Sequence, residues 1–451
     1  MQTLFRVWRE RIATSYWFIP SLLAVAAAAV SALTLHIDAN IRPEWARNTA
    51  LIWAGGPEGA RNVLATIASS TITVAGVVFS ITIVTLTLAS SQFGPRLLRN
   101  FMKDQGTQLV LGVFVATYVY CLLVLRAIRG TDQVTLVPFL SITCGVVLAV
   151  TSVGFLIYFI HHISISIIAE SVIGRVANEL RHRIDTLYPE KARADAGGGS
   201  GPAPEGEADG HPSPAFEHSP GPVRSKRSGF VQAIAVEKLV GLAAERDLVI
   251  RVRHRPGAFV AEDALLAEVF PGAGVAGEVR EEICKAILLG HHRTPSEDAE
   301  YSIAQLVEVA VRALSPGIND PFTAITCVEW LGAALIRIVG RESPSRWRRD
   351  DSGRPRVQLE VARFEDLASA ALDPLRQYGA ASVMVMLRLL ETVGRLGPHV
   401  VHPHDRIVLI AHARAMRDDA LRAAQNDRDR ESVSRQYANA IRALGESATP
   451  S

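Results

Sequence analysis

Apolar residues dominate the first third of the chain in four long stretches that are separated by shorter polar segments. The second stretch is the most distinctive, because it contains no charged residue between Arg61 and Arg96. A helix needs about 20 apolar residues to cross the hydrocarbon core of a bilayer. The pattern therefore predicts four transmembrane helices. These spans are residues 17–35, 63–90, 108–125 and 134–160.

Small and hydroxyl-bearing residues recur along the second span at steps of four, three, four, seven and four, which places them on one face of a helix. This stripe consists of Ser69, Thr73, Gly76, Ser80, Thr87 and Ser91. Lipid tails offer no hydrogen-bond partner to the hydroxyl groups of such a face. Small residues let helices approach closely, and hydroxyls bond across an interface or line a watery path. The stripe thus predicts either a helix-packing face or a pore-lining face, and the sequence leaves both open.

Positive charge near the ends of the spans predicts their orientation. The larger set of basic residues precedes the first span, follows the second and follows the fourth: Arg6, Arg9, Arg11, Arg96, Arg99, Lys103, Arg175, Arg181 and Arg183. The smaller set is Arg42, Arg47, Arg61, Arg126 and Arg129. We therefore expect a multi-pass membrane protein with both termini in the cytoplasm. A cleaved signal peptide ending near residues 30–32 is the alternative for the first span, and it leaves the later spans in place.

The remainder of the chain predicts a mainly helical α+β cytosolic domain with a small β subdomain. An apolar stripe at steps of three and four continues the fourth span as a helical stalk over residues 163–188. Residues 189–228 are rich in Gly, Pro, Ser and Ala, which predicts a disordered linker. Strand-like segments follow at 229–277, and residues 278–451 form the helical part. Its predicted helices are 278–289, 299–314, 321–339, 364–377, 380–396, 404–424 and 430–444, with a polar loop at 341–356.

One corner between two predicted cytosolic helices is sharply specified. It contains Ser315, Pro316, Gly317, Asn319, Asp320 and Pro321. Gly317 suits the end of one helix, while Asn319 or Asp320 followed by proline suits the N-cap of the next. A helix corner needs these residue types, so geometry alone explains the motif. A functional interpretation places Ser315, Asn319 and Asp320 around a ligand or an anion at the helix N-terminus.

Several function classes are disfavoured. The four cysteines form no Cys-x-x-Cys pair, and the paired histidines lack the spacing that converges on a metal. The chain has a net charge of +2 and no basic patch with interleaved aromatics, so no nucleic-acid partner is expected. Motifs of hydrolases, nucleotide-binding loops and zinc proteases are absent from the sequence. We predict no catalytic residue, no cofactor, no metal and no enzymatic activity.

Three segments together resemble a known family. They are residues 69–84, 90–98 and 313–324, the last reading Ala-Leu-Ser-Pro-Gly-Ile-Asn-Asp-Pro-Phe-Thr-Ala. The combination is similar to a bacterial family of predicted membrane proteins that is known only as a domain of unknown function. The resemblance covers almost the whole chain outside the linker. It implies an inner-membrane location and brings no catalytic residues.

Two functions remain compatible with these patterns. The first is an oligomeric, channel-like conduit in which the stripe of the second span faces a central path and the cytosolic domain forms a vestibule or gate. The second is a membrane-anchored sensor or scaffold whose cytosolic domain binds a protein partner or a small ligand. We expect the bilayer and further copies of the chain as partners. Proton-coupled transport is disfavoured, because no predicted span carries an ionisable group near its centre.

Overall fold

The computed structural model describes residues 16–40, 56–102, 104–131, 134–136, 138–188, 219–272, 275–294 and 298–445. The chain forms two compact units, residues 1–171 and 172–451. The predicted linker lies outside the described residues as far as residue 218.

The first unit consists of apolar helices. They are α1 (Phe18–Asn40), α2 (Pro57–Phe93), the short α3 (Pro95–Met102), α4 (Gln105–Ala127) and α5 (Phe139–Ser166). A small antiparallel hairpin of β1 (Arg129–Thr131) and β2 (Val134–Leu136) connects α4 to α5. Helix α4 packs against α1, α2 and α5, so it lies at the centre of the unit. Gly112 permits the close approach of α1, because a Cβ there would lie 3.2 Å from the Cα of Pro20.

Among the described residues, five helices are long and apolar enough to cross a membrane, whereas the sequence predicts four spans. Four of them are α1, α2, α4 and α5. The fifth is α10 (Pro321–Val339), which belongs to the second unit and packs against neighbouring helices there. Its apolar composition comes from core positions such as Leu331 and Leu335, which are buried within that unit. Length and composition therefore do not separate a buried helix of this kind from a span.

The ends of the membrane-type helices differ in detail from the sequence prediction. Helix α1 continues to Asn40 and contains no break near residues 30–32. Helix α2 ends at Phe93, where Gly94 adopts a φ of 101° that glycine tolerates. The fourth span begins at Phe139 rather than at 134, because the hairpin occupies the preceding residues. The expected continuous stalk is interrupted, since α5 ends at Ser166 and α6 (Ala169–Leu187) begins three residues later.

The second unit contains two small sheets. Their strands are β3 (Gly221–Arg224), β4 (Gly229–Ile234), β5 (Val249–Val252), β6 (Phe259–Val260), β7 (Leu265–Phe270), β8 (Ile287–Gly290), β9 (Trp347–Arg349) and β10 (Pro355–Gln358). One sheet has the order β3-β7-β5-β10-β9, and the other has the order β6-β4-β8. All pairings are antiparallel except the parallel pair of β10 with β5. Helices α7 (Val236–Glu245) and α8 (Gly277–Ala286) share the core of this region.

Four strands lie wholly or partly where the sequence predicts other structure. Strand β3 falls inside the predicted linker, and it pairs with β7. Strand β8 replaces the last part of the helix predicted at 278–289, because residues 287–290 pair with β4. Strands β9 and β10 form a hairpin that begins within the predicted polar loop at 341–356 and ends at Gln358. Strands β3, β8 and β10 each pair with a segment far away in the sequence, which local residue preferences do not reveal.

The rest of the second unit is helical, as predicted. Its helices are α9 (Ala299–Ala313), α10, α11 (Phe364–Gly379), α12 (Val383–Leu396), α13 (Pro403–Ala423) and α14 (Asp427–Ala443). Aliphatic residues such as Leu306, Leu375 and Leu389 are fully buried among them. Helix α6 is tied to this part by Asp185, which accepts hydrogen bonds from the guanidinium groups of Arg337 and Arg341 at 2.6–2.9 Å.

Candidate functional site

The hydroxyl stripe of α2 lies on the exposed side of the first unit. All six of its residues, Ser69, Thr73, Gly76, Ser80, Thr87 and Ser91, are exposed. The buried face of the same helix carries a different set at steps of three and four: Ala60, Leu64, Ala68, Thr71, Ala75, Val78, Thr82, Thr85, Ala89 and Phe93. At about 100° per residue, the stripe and the buried face point to roughly opposite sides of the helix.

This direction bears on the two alternatives that the sequence leaves open. Helix α2 packs against α4 and α5 through its buried face, so the stripe does not face the other described helices of this unit. The hydroxyls of the stripe also form hydrogen bonds with carbonyl oxygens of their own helix. Thr73 Oγ1 donates to the carbonyl oxygen of Ser69 at 2.8 Å, and Thr87 Oγ1 donates to that of Ile83 at 2.9 Å. The stripe is therefore available to lipid, to water or to another protein surface.

A second set of polar residues faces the interior of the first unit, and sequence reasoning missed it. Asp38, in the last turn of α1, accepts three hydrogen bonds from the start of α5 at 2.7–3.0 Å: from the amides of Leu140 and Ser141 and from the Ser141 hydroxyl. The fully buried Tyr120 hydroxyl donates to the carbonyl oxygen of Ser141 and lies 3.0 Å from Thr34 Oγ1. This cluster fixes α1, α4 and α5 relative to one another.

Two further polar contacts lie along α4 and α5. The hydroxyls of Thr117 and Ser152 are 3.0 Å apart and almost completely buried. Near the start of α4, Asp104 Oδ2 lies 2.6 Å from His162 Nε2 and accepts a hydrogen bond from Thr107. Burial opposes ionisation of Asp104, but the hydrogen bonds from Thr107 and His162 outweigh it and lower the pKa of this carboxyl. These pairs stabilise helix packing, which is the usual role of buried hydroxyls between membrane helices.

The predicted corner between α9 and α10 is an exposed turn with a well-formed cap. Asp320 is the N-cap of α10, where Oδ1 accepts from the amides of Phe322 and Thr323 at 3.1 Å. The hydrogen bond from the Thr323 hydroxyl lowers the pKa of the Asp320 carboxyl, and the two amide hydrogen bonds lower it further. Burial raises this pKa, but by less than the Thr323 hydroxyl lowers it. Pro321 occupies the first helical turn, as its fixed φ allows.

The other residues of the corner also serve its geometry. Asn319, rather than Gly317, takes the left-handed conformation, with a φ of 49°; asparagine tolerates this region better than most residues. Ser315 Oγ donates to the carbonyl oxygen of Arg312, and Pro316 is exposed. Asp320 and Ser315 thus have intramolecular partners, and the caps and turns account for the motif without a ligand.

A cavity of about 400 Å³ lies in the second unit, at a place that the sequence analysis does not single out. Its wall combines the end of α6, the end of α10, the segment after α10 and the first turns of α11 and α13. The lining residues are Tyr188, Ile338, Arg341, Glu342, Ser343, Pro344, Ser345, Arg346, Val361, Arg363, Phe364, Glu365, His402, Pro403, His404 and Asp405. Charged and aromatic groups from four separate segments therefore meet here.

Most charged groups of the cavity already have partners within the chain. Arg341 donates to Asp185 and to the carbonyl oxygens of Ile184 and Tyr188, and His404 Nε2 lies 2.7 Å from a carboxylate oxygen of Glu365. The lining residues Glu342, Arg363, His402 and Asp405 are engaged as well. Arg346 is different, because its buried Nε has no hydrogen-bond partner among the described residues.

No group of three or more His, Cys, Asp or Glu side chains within the described ranges is arranged to hold a metal ion. Of the cysteines, Cys121 and Cys327 are buried, and burial raises the pKa of the Cys327 thiol to about 12. Such a thiol is protonated at neutral pH and unsuited to act as a nucleophile.

Comparison with known proteins places these features in a family context. The family described as predicted membrane protein (DUF2254) matches residues 13–395. Uncharacterized proteins of Mycobacterium bovis and of Mycobacterium tuberculosis are each 30% identical to this chain over 365 residues, which cover 80% of this chain and 68% of theirs. No solved protein structure matches the chain.

Proposed function

Since the chain belongs to the predicted membrane protein family DUF2254, we propose that it is an oligomeric, channel-like conduit of the bacterial inner membrane with a cytosolic gating or vestibule domain. In this proposal α1, α2, α4 and α5 are the four spans, and both termini lie in the cytoplasm. The second unit is the cytosolic domain. Helix α10 stays outside the membrane, because Arg337 near its end is paired with Asp185.

The outward direction of the α2 stripe is the observation that carries this proposal. From Ser69 to Ser91 the stripe covers about 33 Å of helix at 1.5 Å per residue, which is about the thickness of the hydrocarbon core. A local helix contact does not need hydroxyls along that whole length, whereas a hydrated path does. The apolar residues on other outward faces, such as Val25 on α1 and Val150 on α5, are suited to lipid.

The path lies between copies of the chain in this proposal. Inside one copy the space between the helices is filled, since the side chains of Thr117, Tyr120, Cys121 and Ile142 are fully buried among their neighbours. Two or more copies that place α2 side by side would bring their stripes together around a common axis. A second copy is therefore the expected occupant of the surface next to α2, and a homo-oligomer is the expected state.

Conductance of the purified protein in planar bilayers tests the conduit. The native protein should conduct under voltage, membrane tension or ligand, while Ser80→Leu and Thr87→Leu should reduce the conductance strongly because each narrows and dries the path. Val150→Leu is the control, since it places the same leucine side chain at an exposed position on α5. If the native protein conducts no ions under any of these stimuli, or if the stripe variants conduct like the control, the conduit is wrong.

Cysteine labelling gives an independent measure of what faces the stripe. In a background with Cys144 and Cys284 replaced by serine, Ser80→Cys and Val150→Cys differ only in position; the two remaining cysteines are buried. A charged, water-soluble thiol reagent should label position 80 and spare position 150. Labelling of both positions by lipid-soluble reagents alone contradicts a hydrated path.

The alternative function is a membrane-anchored sensor whose cytosolic domain binds a small ligand. The cavity next to Arg346 is the observation that favours it. The corner at 315–321 does not favour it, because Asp320 has its own capping partners.

A further inference from the structure

A groove of about 420 Å³ lies between α7 and α8 on the surface of the second unit. Three buried apolar residues line it, Leu239 and Leu242 of α7 and Ala286 of α8. The exposed side chains of Lys238 and Glu245, both on α7, line it as well. An apolar floor between charged edges is the composition of a protein–protein contact, whose centre is apolar and whose rim is polar.

The middle of α7 carries a glycine, Gly241, that is exposed and lines the same groove. Glycine inside a helix destabilises the helix relative to alanine. Packing within the described chain does not require it, because a Cβ at this position would meet no atom within 4 Å. A residue without a side chain does, however, allow the backbone of a second helix to approach closely. Gly241 therefore suits a helix crossing at the surface.

The two charged residues of α7 are placed symmetrically about this glycine. Lys238 and Glu245 are two turns apart on one face of the helix, about 10 Å along its axis. Neither side chain forms an ion pair or a hydrogen bond with another described residue. Their midpoint falls between Gly241 and Leu242. A second α7 that runs antiparallel across this midpoint would bring each lysine beside the glutamate of the other helix, so the surface is complementary to itself.

We propose that α7 binds α7 of a second copy of this chain in an antiparallel contact with two-fold symmetry, which crosses at Gly241. Leu242 of each copy packs on the glycine of the other, and two ion pairs between Lys238 and Glu245 flank the crossing. A second copy is the occupant because one face supplies both members of each ion pair. This contact lies in the second unit, so the inference goes beyond the conduit and does not depend on it.

Disulfide crosslinking of the full-length protein in membranes tests this contact. In the background with Cys144 and Cys284 replaced by serine, Gly241→Cys places one accessible thiol of each copy next to the two-fold axis. A disulfide requires two Cα atoms within about 7 Å, so a mild oxidant should join two copies through position 241. Arg280→Cys is the control, because Arg280 is exposed on α8 and does not line the groove. If Gly241→Cys yields no more crosslinked dimer than Arg280→Cys, the contact is refuted.

Charge reversal tests the antiparallel arrangement. In the Gly241→Cys protein, Lys238→Glu should lower the crosslinked fraction several-fold, because two carboxylates then face each other at both ends of the crossing. The further substitution Glu245→Lys should restore the crosslinked fraction, since each pair again joins opposite charges. Arg280→Glu makes the same change of charge outside the groove and should leave the crosslinked fraction unchanged. A loss with Lys238→Glu that Glu245→Lys does not repair contradicts the proposed arrangement.

The substituted positions are exposed, so these variants should keep the fold, and thermal unfolding in detergent verifies it. The contact and the conduit can also fail separately. A protein that crosslinks at position 241 but conducts no ions supports the contact and refutes the conduit. A protein that conducts ions but does not crosslink at position 241 refutes the contact and leaves the conduit in place.

Discussion

The two units of this chain differ in which large apolar side chains they bury and which they expose. In the second unit aliphatic side chains such as Leu375 and Leu389 are fully buried, as water requires. In the first unit large apolar residues point outward, with Val25 and Val150 each 68% exposed, while Thr117, Tyr120 and Ser141 lie in the interior. The first unit therefore buries hydroxyls together with its aliphatic core and leaves large apolar side chains exposed.

This difference fits the solvents that we propose for the two units, lipid for the first and water for the second. Lipid tails are as apolar as leucine, so burial of apolar surface does not drive membrane helices together. Close packing and hydrogen bonds between helices take over that role, as Gly112 beside Pro20 and the bonds to Asp38 illustrate. If the second unit lies in water, as we propose, burial of apolar surface is the main force that holds it together. Substitutions that are matched between the units test this comparison.

The largest effect is expected for Leu389→Ala in the second unit. Leu389 is fully buried on α12, and removal of such a side chain costs about 2–5 kcal/mol through lost burial and the cavity left behind. Chemical denaturation followed by the fluorescence of Trp330 and Trp347 measures it. Met384→Ala on the same helix is the control, because Met384 is 40% exposed. Equal losses for both variants would mean that burial does not organise this unit.

Asp38→Ala should give the next largest effect, now in the first unit. The substitution removes an acceptor of three hydrogen bonds from the start of α5, and bonds to a charged group contribute about 1.5–3 kcal/mol. Thermal unfolding in detergent measures the loss. Glu58→Ala provides the control, since Glu58 is an exposed carboxylate in the first turn of α2. An unchanged midpoint for Asp38→Ala would show that the polar cluster does not hold α1 and α5 together.

Asp320→Ala should have a smaller effect, about 1 kcal/mol, because it removes a local N-cap. The hydrogen bond from the Thr323 hydroxyl lowers the pKa of Asp320 below its ordinary value of 3.8. A lowered pKa in the folded state stabilises the protein above the unfolded value, and this contribution disappears as the pH falls through the folded value. The difference between native protein and variant should therefore be full at pH 7 and shrink below about pH 4. Denaturation curves at several pH values measure it, and a difference that grows in acid contradicts the cap.

Thr117→Val should have the smallest effect, about 0.6 kcal/mol, which is typical of hydrogen bonds between membrane helices. Valine keeps the shape of threonine and removes its hydroxyl, while Ser152 retains its bond to the carbonyl oxygen of Leu148. Thermal unfolding in detergent compares it with Asp38→Ala. A loss for Thr117→Val as large as that for Asp38→Ala would mean that buried hydroxyls, rather than charged groups, dominate the first unit.

Much of the helical framework is predictable from the sequence, because helix formation depends on residues within a few positions. The uncharged stretch of α2 and an N-cap at Asn319 or Asp320 are both read from local patterns, and the structure assigns the cap to Asp320. The strands at 221–224 and 287–290 escape such patterns, since each exists only through pairing with a distant segment. The cavity is similarly beyond sequence reasoning, because its wall brings together segments from residue 188 to residue 405.

For the first unit, the sequence by itself determined which residues of α2 share a face, because the helical repeat fixes the direction of each side chain relative to the next. It did not determine what covers that face. Only the tertiary structure decided that Thr71, Thr82 and Thr85 meet the neighbouring helices while Ser80 and Thr87 point away from them. The physical reason is that a repeat of 3.6 residues is a local property of the backbone, whereas the covered side depends on contacts with α4 and α5, which follow later in the chain.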